Sequence, residues 1–268
     1  MCRCIWSTSY TGRSVSDYTI THDGGIAEYR LTRPESRNSL TFEMYQALEN
    51  LCRDPGSAHV IVLTAEGEKA FASGTDISNF KDFHSAQDAI DYEAMIGRVI
   101  DAVQTASVPV IASLHGVVAG GGAAIAAAAD IRLGTHDTKF GMPIARTLGN
   151  CLSIANLNRL VHLLGESRTR YLLLTAEFLP MSPLVDSGFI SEVLDTAELC
   201  DQRARELAAH LITLAPLTVS ATRDGLTRLA QRSIPEDTDL IQRCYLSDDF
   251  AEGVEAFFAK RKANWSGR

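Results

Sequence analysis

Short apolar runs and longer amphipathic segments alternate along the first half of the chain. Runs rich in β-branched and aromatic residues, bounded by Gly, Pro, Asn or Asp, are typical of β-strands. An Asp-Gly pair, Asp23 and Gly24, separates the first two runs and favours a tight hairpin. The runs predict strands at residues 18–20, 26–31, 59–63, 71–76 (strand and turn), 109–114 and 130–133.

Segments with helical periodicity lie between these runs. Thr41 stands where it can cap a helix that ends near residue 53, and Met44, Leu48 and Leu51 share one face of that helix. Residues 123–129 are alanine-rich and favour a helix. The segment 86–104 is also predicted to be helical, with two sides: Ile90, Ala94, Gly97 and Asp101 on one, and Met95, Val99 and Ala102 on the other.

The second half of the chain is mostly helical by pattern. A strand-like run at residues 189–193 interrupts it, and residues 199–262 predict successive helices. Strands that alternate with helices, followed by helices, indicate an α/β core with parallel strands and a helical C-terminal part. We therefore divide the chain into a loose N-terminal leader (1–16), a core (17–200) and a C-terminal helical region (201–268).

Composition narrows the possible functions. The chain has 268 residues, 46% hydrophobic and 22% charged, which is enough to bury a core without disulfides or a metal. A net charge of −8 argues against broad nucleic-acid binding, which needs a basic surface. No apolar run has the ~18 residues of a membrane-spanning helix, and residues 1–16 lack the apolar core of a signal peptide. Six cysteines without a C-x-x-C pair predict free thiols, no metal site and a cytoplasmic protein.

A glycine-rich turn at residues 115–122 is predicted between a strand and the alanine-rich helix. The first N–H groups of a helix have no partner within the helix and carry the positive end of its dipole, which suits an anion or a developing oxyanion. The alternative is a turn that uses glycine only for close packing. The segment lacks a phosphate-binding lysine motif, and Ile125 stands where a dinucleotide fingerprint needs its last Gly or Ala.

Seven segments in order over residues 17–265 resemble the crotonase (enoyl-CoA hydratase/isomerase) superfamily. The resemblance implies a spiral core of ββα units, with C-terminal helices that pack trimers, which can pair into hexamers. It also implies an acyl-CoA substrate of fatty acid metabolism, with coenzyme A entering as part of the substrate and no metal or redox cofactor. The segments are residues 31–40, 60–64, 70–77, 109–122, 129–132, 139–141 and 252–258 with 260–262.

The mechanism that the resemblance implies rests on two backbone N–H groups, those of Thr75 and Gly121. They hold the thioester oxygen while it becomes negative, each donor contributing on the order of 10²–10³ in rate. A hydratase of this family also uses two glutamates, and the corresponding positions here are Ala124 and Ile144. We therefore expect ordinary hydration to be very weak, and the simple isomerase interpretation is weakened too. The dehalogenase branch's aspartate would fall at Leu152. The alternative is an acyl-CoA-binding or scaffolding homologue without catalysis.

The resemblance places further residues near the substrate. Arg146 would hold an acidic acyl tail or polarise water, and Asn150 and Ser153 would orient water, or these three residues only form a loop and a helix cap. His84 and Tyr92 fall in the variable pocket segment and are not assigned, and His115 is expected to be packed rather than catalytic. Asp76 is expected mainly to support its loop. The residues expected along the coenzyme A path are Arg37, Ala72, Asp76, Ile77 and Lys260.

Overall fold

The computed structural model describes residues 16–82, 85–230 and 245–266, together with residues 238 and 242. The predicted leader apart from Ser16, and His84, lie outside the described residues. In the part that is described, Cys52, Cys151 and Cys200 are free thiols. No helix in those ranges is both long and apolar enough to cross a bilayer.

Consecutive pairs of strands build two sheets. In each of three pairs, the first strand joins a six-stranded sheet and the second joins a three-stranded sheet, so the chain winds as a spiral of ββα units. The strands in the described part of the chain are β1 (Tyr18–Asp23), β2 (Ile26–Leu31), β3 (Val60–Ala65), β4 (Ala70–Ala72), β5 (Val110–Leu114), β6 (Val117–Ala119), β7 (Ile131–Thr135), β8 (Lys139–Gly141) and β9 (Glu192–Leu194). The sheets have the orders β1-β2-β3-β5-β7-β9 and β4-β6-β8.

The strand directions agree with the sequence pattern. β1 and β2 form the predicted antiparallel hairpin, and every other pairing is parallel. All six residues of β3 are buried, as expected for a strand covered by helices on both faces. The prediction of an α/β core with parallel strands is confirmed.

Helices cover both faces of the large sheet. The α-helices with bounds in the described ranges are α1 (Phe42–Arg53), α2 (Ala86–Thr105), α3 (Gly120–Ala128), α4 (Ile144–Thr147), α5 (Ile154–Leu164), α6 (Glu166–Thr175), α7 (Met181–Asp186), α8 (Ala197–Ile212), α9 (Pro216–Ala230) and α10 (Asp248–Phe258). On one face α8 packs Cys200, Ala204 and Ala208 against a cluster that includes Val60 and Ile111. The main core lies on the other face, with α1, α2 and α3.

Local capping explains why α1 begins where the sequence predicts. The Thr41 side chain accepts a hydrogen bond from the Met44 N–H at 3.3 Å, which satisfies one of the free donors of the first turn. The cap prediction is confirmed, and so is the buried face with Met44, Leu48 and Leu51.

One prediction about the middle of the chain is wrong. Residues 115–122 are not one turn, because residues 117–119 form β6, which pairs with β4 and β8, and α3 already begins at Gly120. β6 has three residues, and such a short strand is fixed by partners distant in sequence, which no local pattern encodes.

The predicted helix at residues 86–104 is present as α2. Of its two predicted sides, Val99 and Ala102 on one are buried, whereas Ala94 and Asp101 on the other are exposed. The buried residues of α2 are Ala89, Glu93, Ile96, Val99, Ile100, Ala102 and Val103.

The end of the last described helix also differs from the prediction. α10 ends at Phe258, so Lys260, Arg261 and Lys262 follow the helix instead of closing it. Arg261 turns back to pair with Glu252 at 2.6 Å and Glu255 at 3.2 Å. The Lys260 backbone has a φ of 52°, in the left-handed region that ends many helices.

Candidate active site

A cavity of about 350 Å³ opens between the end of β4, the N-terminus of α3, α2 and the segment around α4. It brings together seven of the residues predicted for the site: Thr75, Asp76, Ile77, Gly121, Ala124, Ile144 and Asn150. Five other predicted residues do not line it: Arg37, Ala72, Arg146, Ser153 and Lys260.

Two glycine turns meet at the wall of this cavity. Gly74 has a φ of 120° and Gly120 a φ of 51°, values that glycine adopts without strain. A methyl group on Gly120 would lie 3.2 Å from the Gly74 Cα, so the two backbones are in direct contact. This contact places the residues that follow, Thr75 and Gly121, side by side in the cavity wall.

The Thr75 N–H is not used by the bridge that holds its own turn. Thr75 lies opposite Leu40 in an isolated parallel bridge. The bridge is closed by the Leu40 N–H to the Gly74 oxygen at 2.8 Å and by the Asp76 N–H to the Leu40 oxygen at 2.8 Å. Both bonds use backbone groups of the neighbouring residues Gly74 and Asp76. The Thr75 N–H itself takes no part in the bridge and keeps its donor unused there.

The Gly121 N–H belongs to the first turn of α3. First-turn N–H groups have no acceptor within the helix, and the N-cap residue, Ala119, makes no side-chain cap hydrogen bond. The helix dipole adds partial positive charge at this end. The Gly121 N–H is therefore a donor without an acceptor inside its own helix.

Close packing fixes the two glycines that begin α3. A methyl group at Gly121 would overlap the Tyr45 Oη, and one at Gly122 would overlap the Ala72 Cβ. Ala72 is buried and supports the helix from below instead of lining the cavity. The turn therefore packs closely, as one of the two interpretations of its glycines from sequence expects.

Two tyrosine hydroxyl groups hold the Thr75 side chain. Thr75 Oγ1 lies 2.8 Å from the Tyr45 Oη and 2.8 Å from the Tyr92 Oη. Burial raises the pKa of Tyr45 and Tyr92 well above the ordinary value for tyrosine, so both phenols stay protonated at neutral pH. Tyr92, which the sequence left unassigned, therefore helps to position the loop that carries the Thr75 N–H.

The carboxylates of this cavity do not stand at the family's two positions. Ala124 and Ile144 line it with aliphatic side chains. Among the described lining residues, the carboxylates are Asp76 and Glu93. Burial raises the pKa of Asp76, but hydrogen bonds from Ser78 and Arg33 outweigh it and leave the pKa below the ordinary value. Asp76 accepts from Arg33 Nη1 at 3.2 Å and from the Ser78 N–H at 3.2 Å, which supports the loop.

Glu93 is the cavity residue that sequence reasoning missed. Its side chain is buried in the inner face of α2, and it accepts a hydrogen bond from the Tyr245 hydroxyl at 2.5 Å. Asn150 Nδ2 donates to the same hydroxyl at 3.1 Å. One feature of the sequence could have identified it. Glu93 is an acid in an otherwise apolar stripe of α2, at helical spacing from Ala89, Ile96 and Ile100.

The remaining predicted residues lie around the cavity. Ser153 caps α5 by accepting from the Asn156 N–H at 3.3 Å. Arg146 is exposed and its Nη1 lies 3.8 Å from Glu177 Oε1. Arg37 follows the cavity-lining Ser36, and Lys260 stands two residues beyond a lining residue of α10. His115 is buried, and among the described residues neither of its ring nitrogens has a hydrogen-bond partner.

Comparisons with known proteins show what the chain is similar to. A crotonyl-CoA hydratase of Syntrophomonas wolfei is 27% identical over 248 residues, which cover 90% of this chain and 94% of the hydratase. A carnitinyl-CoA dehydratase of Escherichia coli O157:H7 is 28% identical over 260 residues, covering 93% and 98% of the two chains.

Solved structures share the fold. An enoyl-CoA hydratase/carnithine racemase from Magnetospirillum magneticum has a TM-score of 0.74 at 28% identity, covering 95% of this chain and 97% of that one. A methylmalonyl-CoA decarboxylase in complex with 2-nitronate-propionyl-CoA has a TM-score of 0.82 at 23% identity, covering 94% and 99%, which shows a common fold. The family profile described as Enoyl-CoA hydratase/isomerase matches residues 21–268. The chain therefore belongs to the enoyl-CoA hydratase/isomerase family and has the crotonase fold.

Proposed function

We propose that the protein binds an acyl-CoA thioester and stabilises the enolate of its acyl group. The thioester oxygen accepts hydrogen bonds from the N–H groups of Thr75 and Gly121. Removing a proton beside a thioester places negative charge on that oxygen, and donors already fixed in position stabilise the charge without reorganisation. Backbone donors do not depend on side-chain identity, so they persist where the glutamates do not.

One observation supports this proposal above the others: the contact between Gly74 and Gly120. It holds the next two residues beside each other at the wall of one cavity, and the local structure uses neither N–H group. Two converging N–H donors at a helix N-terminus suit an oxygen that becomes negative.

The overall reaction that we propose is a lyase or isomerase step on an acyl-CoA. Ordinary hydration of a short enoyl-CoA is expected to be very weak, because the methyl of Ala124 and the butyl group of Ile144 transfer no protons. The same two residues support the second candidate, an acyl-CoA-binding protein without catalysis.

Binding and exchange measurements test the proposal. We expect calorimetry to show acetoacetyl-CoA binding, with the absorbance of its enolate rising on the protein. We also expect NMR in D₂O to show deuterium entering the carbon beside the thioester of a saturated acyl-CoA, while crotonyl-CoA is hardly hydrated. No heat and no enolate signal would contradict the proposal, and rapid hydration of crotonyl-CoA would contradict the role given to the missing glutamates. Binding without exchange, and without conversion of any thioester in a mass-spectrometry panel, would favour the non-catalytic candidate.

Arg37 is proposed to lie along the entrance for the nucleotide part of coenzyme A, and Lys260 to contact a phosphate. Ser36 lines the cavity directly before Arg37, and Phe258 lines it two residues before Lys260. The coenzyme A phosphates need cationic partners. Because the net charge of the protein is −8, those partners have to be particular basic residues near the cavity.

Changing Arg37 to asparagine is expected to weaken acetoacetyl-CoA binding roughly tenfold, the effect of losing one charged hydrogen bond. Asparagine suits the test because it tolerates the φ of 53° at this position. Acetoacetyl-pantetheine lacks the nucleotide phosphates, so its dissociation constant should stay the same. The matched control is Arg98→Gln, at an exposed position of α2. An equal loss for both ligands would place Arg37 elsewhere than on the phosphate path.

Self-association as a homotrimer or a dimer of trimers stays an expectation of the family resemblance. It is supported by exposed leucines on α9, where the exposed fractions of Leu217, Leu226 and Leu229 are 83%, 63% and 60%. Apolar side chains grouped this way on one helix are typical of interaction surfaces.

A further inference from the structure

Two carboxylates, those of Asp76 and Glu93, line the cavity among the described residues. Asp76 is held in its loop by Arg33 Nη1 at 3.2 Å and by the Ser78 N–H at 3.2 Å. Burial raises the pKa of Asp76, but these hydrogen bonds leave it below the ordinary value, so Asp76 is a weak base. The reaction proposed above needs a group that takes a proton from the acyl chain, and Glu93 is the carboxylate that is left for this role.

Glu93 lies near the loop that carries the Thr75 N–H. It follows Tyr92 on α2, and the Tyr92 hydroxyl lies 2.8 Å from Thr75 Oγ1. Burial raises the pKa of the Tyr92 phenol, and the negative charge of Glu93 raises it further, as it also does for Tyr45. The charge of Glu93 therefore acts on both phenols that hold the Thr75 side chain, and Glu93 lines the same cavity as Thr75 and Gly121.

A short chain of hydrogen bonds orients the Glu93 carboxylate. The Tyr245 hydroxyl donates to Glu93 Oε1 at 2.5 Å, and Asn150 Nδ2 donates to the Tyr245 oxygen at 3.1 Å. Burial and the charge of Glu93 raise the pKa of Tyr245 well above the ordinary value, so this phenol keeps its proton and stays the donor. A carboxylate offers about four acceptor positions, so the hydrogen bond from Tyr245 fixes its direction without preventing proton transfer.

We propose that Glu93 is the catalytic base of this cavity and takes a proton from the carbon beside the thioester carbonyl. The inference rests on the proposed function, because the enolate that forms needs the N–H groups of Thr75 and Gly121. The electron pair of the broken C–H bond forms a C=C bond, and the carbonyl π pair moves to the thioester oxygen. The proton converts the Glu93 carboxylate to a carboxylic acid, which then returns it to the acyl chain.

A single carboxylate is enough to move a double bond along an acyl chain. When the substrate is a 3-enoyl-CoA, the acid form of Glu93 returns the proton two carbons further along, which gives the conjugated 2-enoyl-CoA and restores the carboxylate. Hydration needs two groups that activate water and supply a proton, and Ala124 and Ile144 stand at the family's two positions. Of the two reaction classes proposed above, Glu93 therefore favours the isomerase.

Glu93→Gln in the full-length protein tests the inference, because the amide keeps the size and an acceptor for the Tyr245 hydroxyl but cannot take a proton. Deuterium exchange beside the thioester of hexanoyl-CoA should fall by about 10²–10⁴-fold, and so should conversion of 3-hexenoyl-CoA to its conjugated isomer. Acetoacetyl-CoA should still bind in calorimetry, because both N–H donors remain. Asp91→Asn, at an exposed position of the same helix, is the matched control and should leave both rates unchanged.

The pH profile separates a base from a residue that only supports the fold. In the unmodified protein the exchange rate should rise with pH as Glu93 loses its proton, and then level off, whereas Glu93→Gln should lose this rise. Tyr245→Phe removes a hydrogen bond that stabilises the charged carboxylate, so the rate should level off at a higher pH. An unchanged profile in Tyr245→Phe would contradict the inference, and this variant gives an answer even if Glu93→Gln does not fold.

The outcomes separate this inference from the proposed function. If folded Glu93→Gln exchanges and isomerises at the unmodified rate, the inference is wrong and the thioester site stands. If Glu93→Gln loses acetoacetyl-CoA binding together with exchange, Glu93 supports the site instead of acting as its base, which also overturns the inference. If the unmodified protein binds thioesters without exchange or isomerisation, the inference fails and the non-catalytic candidate is favoured. If no CoA thioester binds at all, the proposed function fails, and the inference fails with it.

Discussion

Replacing Gly121 with alanine is expected to reduce deuterium exchange beside the thioester by at least ~10²-fold, the effect of losing one oxyanion donor. The added methyl would overlap the Tyr45 hydroxyl, which is buried and bonded to Thr75. Either α3 or the Tyr45 ring has to move, and each movement separates the Gly121 N–H from that of Thr75. The enolate absorbance of bound acetoacetyl-CoA should fall in parallel, which gives a measurement that does not depend on turnover.

A second substitution shows whether the overlap is the cause. Tyr45→Phe removes the hydroxyl, so the double variant with Gly121→Ala should recover part of the exchange, although the Tyr45 Cζ still lies 3.0 Å from the added methyl. Gly97→Ala on α2 is the control, because its methyl meets nothing within 4 Å, and it should leave exchange unchanged. A folded Gly121→Ala protein with normal exchange would show that this N–H does not hold the thioester oxygen.

The sequence predicted those parts of the fold that local chemistry determines. Thr41 caps α1 as expected, because its side chain needs only the N–H three residues later. The apolar run of β3 is a buried strand, because β-branched residues suit a sheet covered on both faces. The motif order indicated the family, and the family profile confirms it over residues 21–268.

What the sequence did not predict depends on contacts across the fold. β6 exists because Val117 pairs with Ala70 and Lys139, which are far away in the chain. Glu93 was missed because neither of the two sides named for α2 included it, and because its partner Tyr245 lies 152 residues away. Resemblance to a family also draws attention to the family's own catalytic positions, so it gives no weight to an acid carried by another helix.

The site as a whole combines a conventional half and an altered half. The two N–H donors follow from the glycine turns and need no particular side chain. The positions of the usual proton-transfer residues, Ala124 and Ile144, hold aliphatic side chains. The polar side chains that line the cavity include those of Asp76, Tyr92, Glu93 and Asn150. Under the proposed function, such a site polarises a thioester but does not activate water in the family's usual way.

Restoring both carboxylates is therefore expected to create hydratase activity. Each positioned acid or base contributes about 10²–10⁴ in rate, so Ala124→Glu with Ile144→Glu should hydrate crotonyl-CoA at least ~10²-fold faster than the unmodified chain. Both positions line the cavity that Thr75 and Gly121 also line, so the new carboxylates would lie in that same cavity. Each single variant should gain much less, because water must be held and its proton transferred by two groups acting together.

The same variant separates the two candidate functions. If the double variant hydrates crotonyl-CoA while the unmodified protein converts no thioester, then the oxyanion donors are intact and the natural role is binding. If the unmodified protein converts an acyl-CoA thioester and the double variant loses that reaction as it gains hydration, the cavity is catalytic with its own groups. The double variant could also fold, bind crotonyl-CoA and show no hydration. That result would mean that the missing carboxylates were not the only deficiency, and that the donors do not hold the thioester in a reactive position.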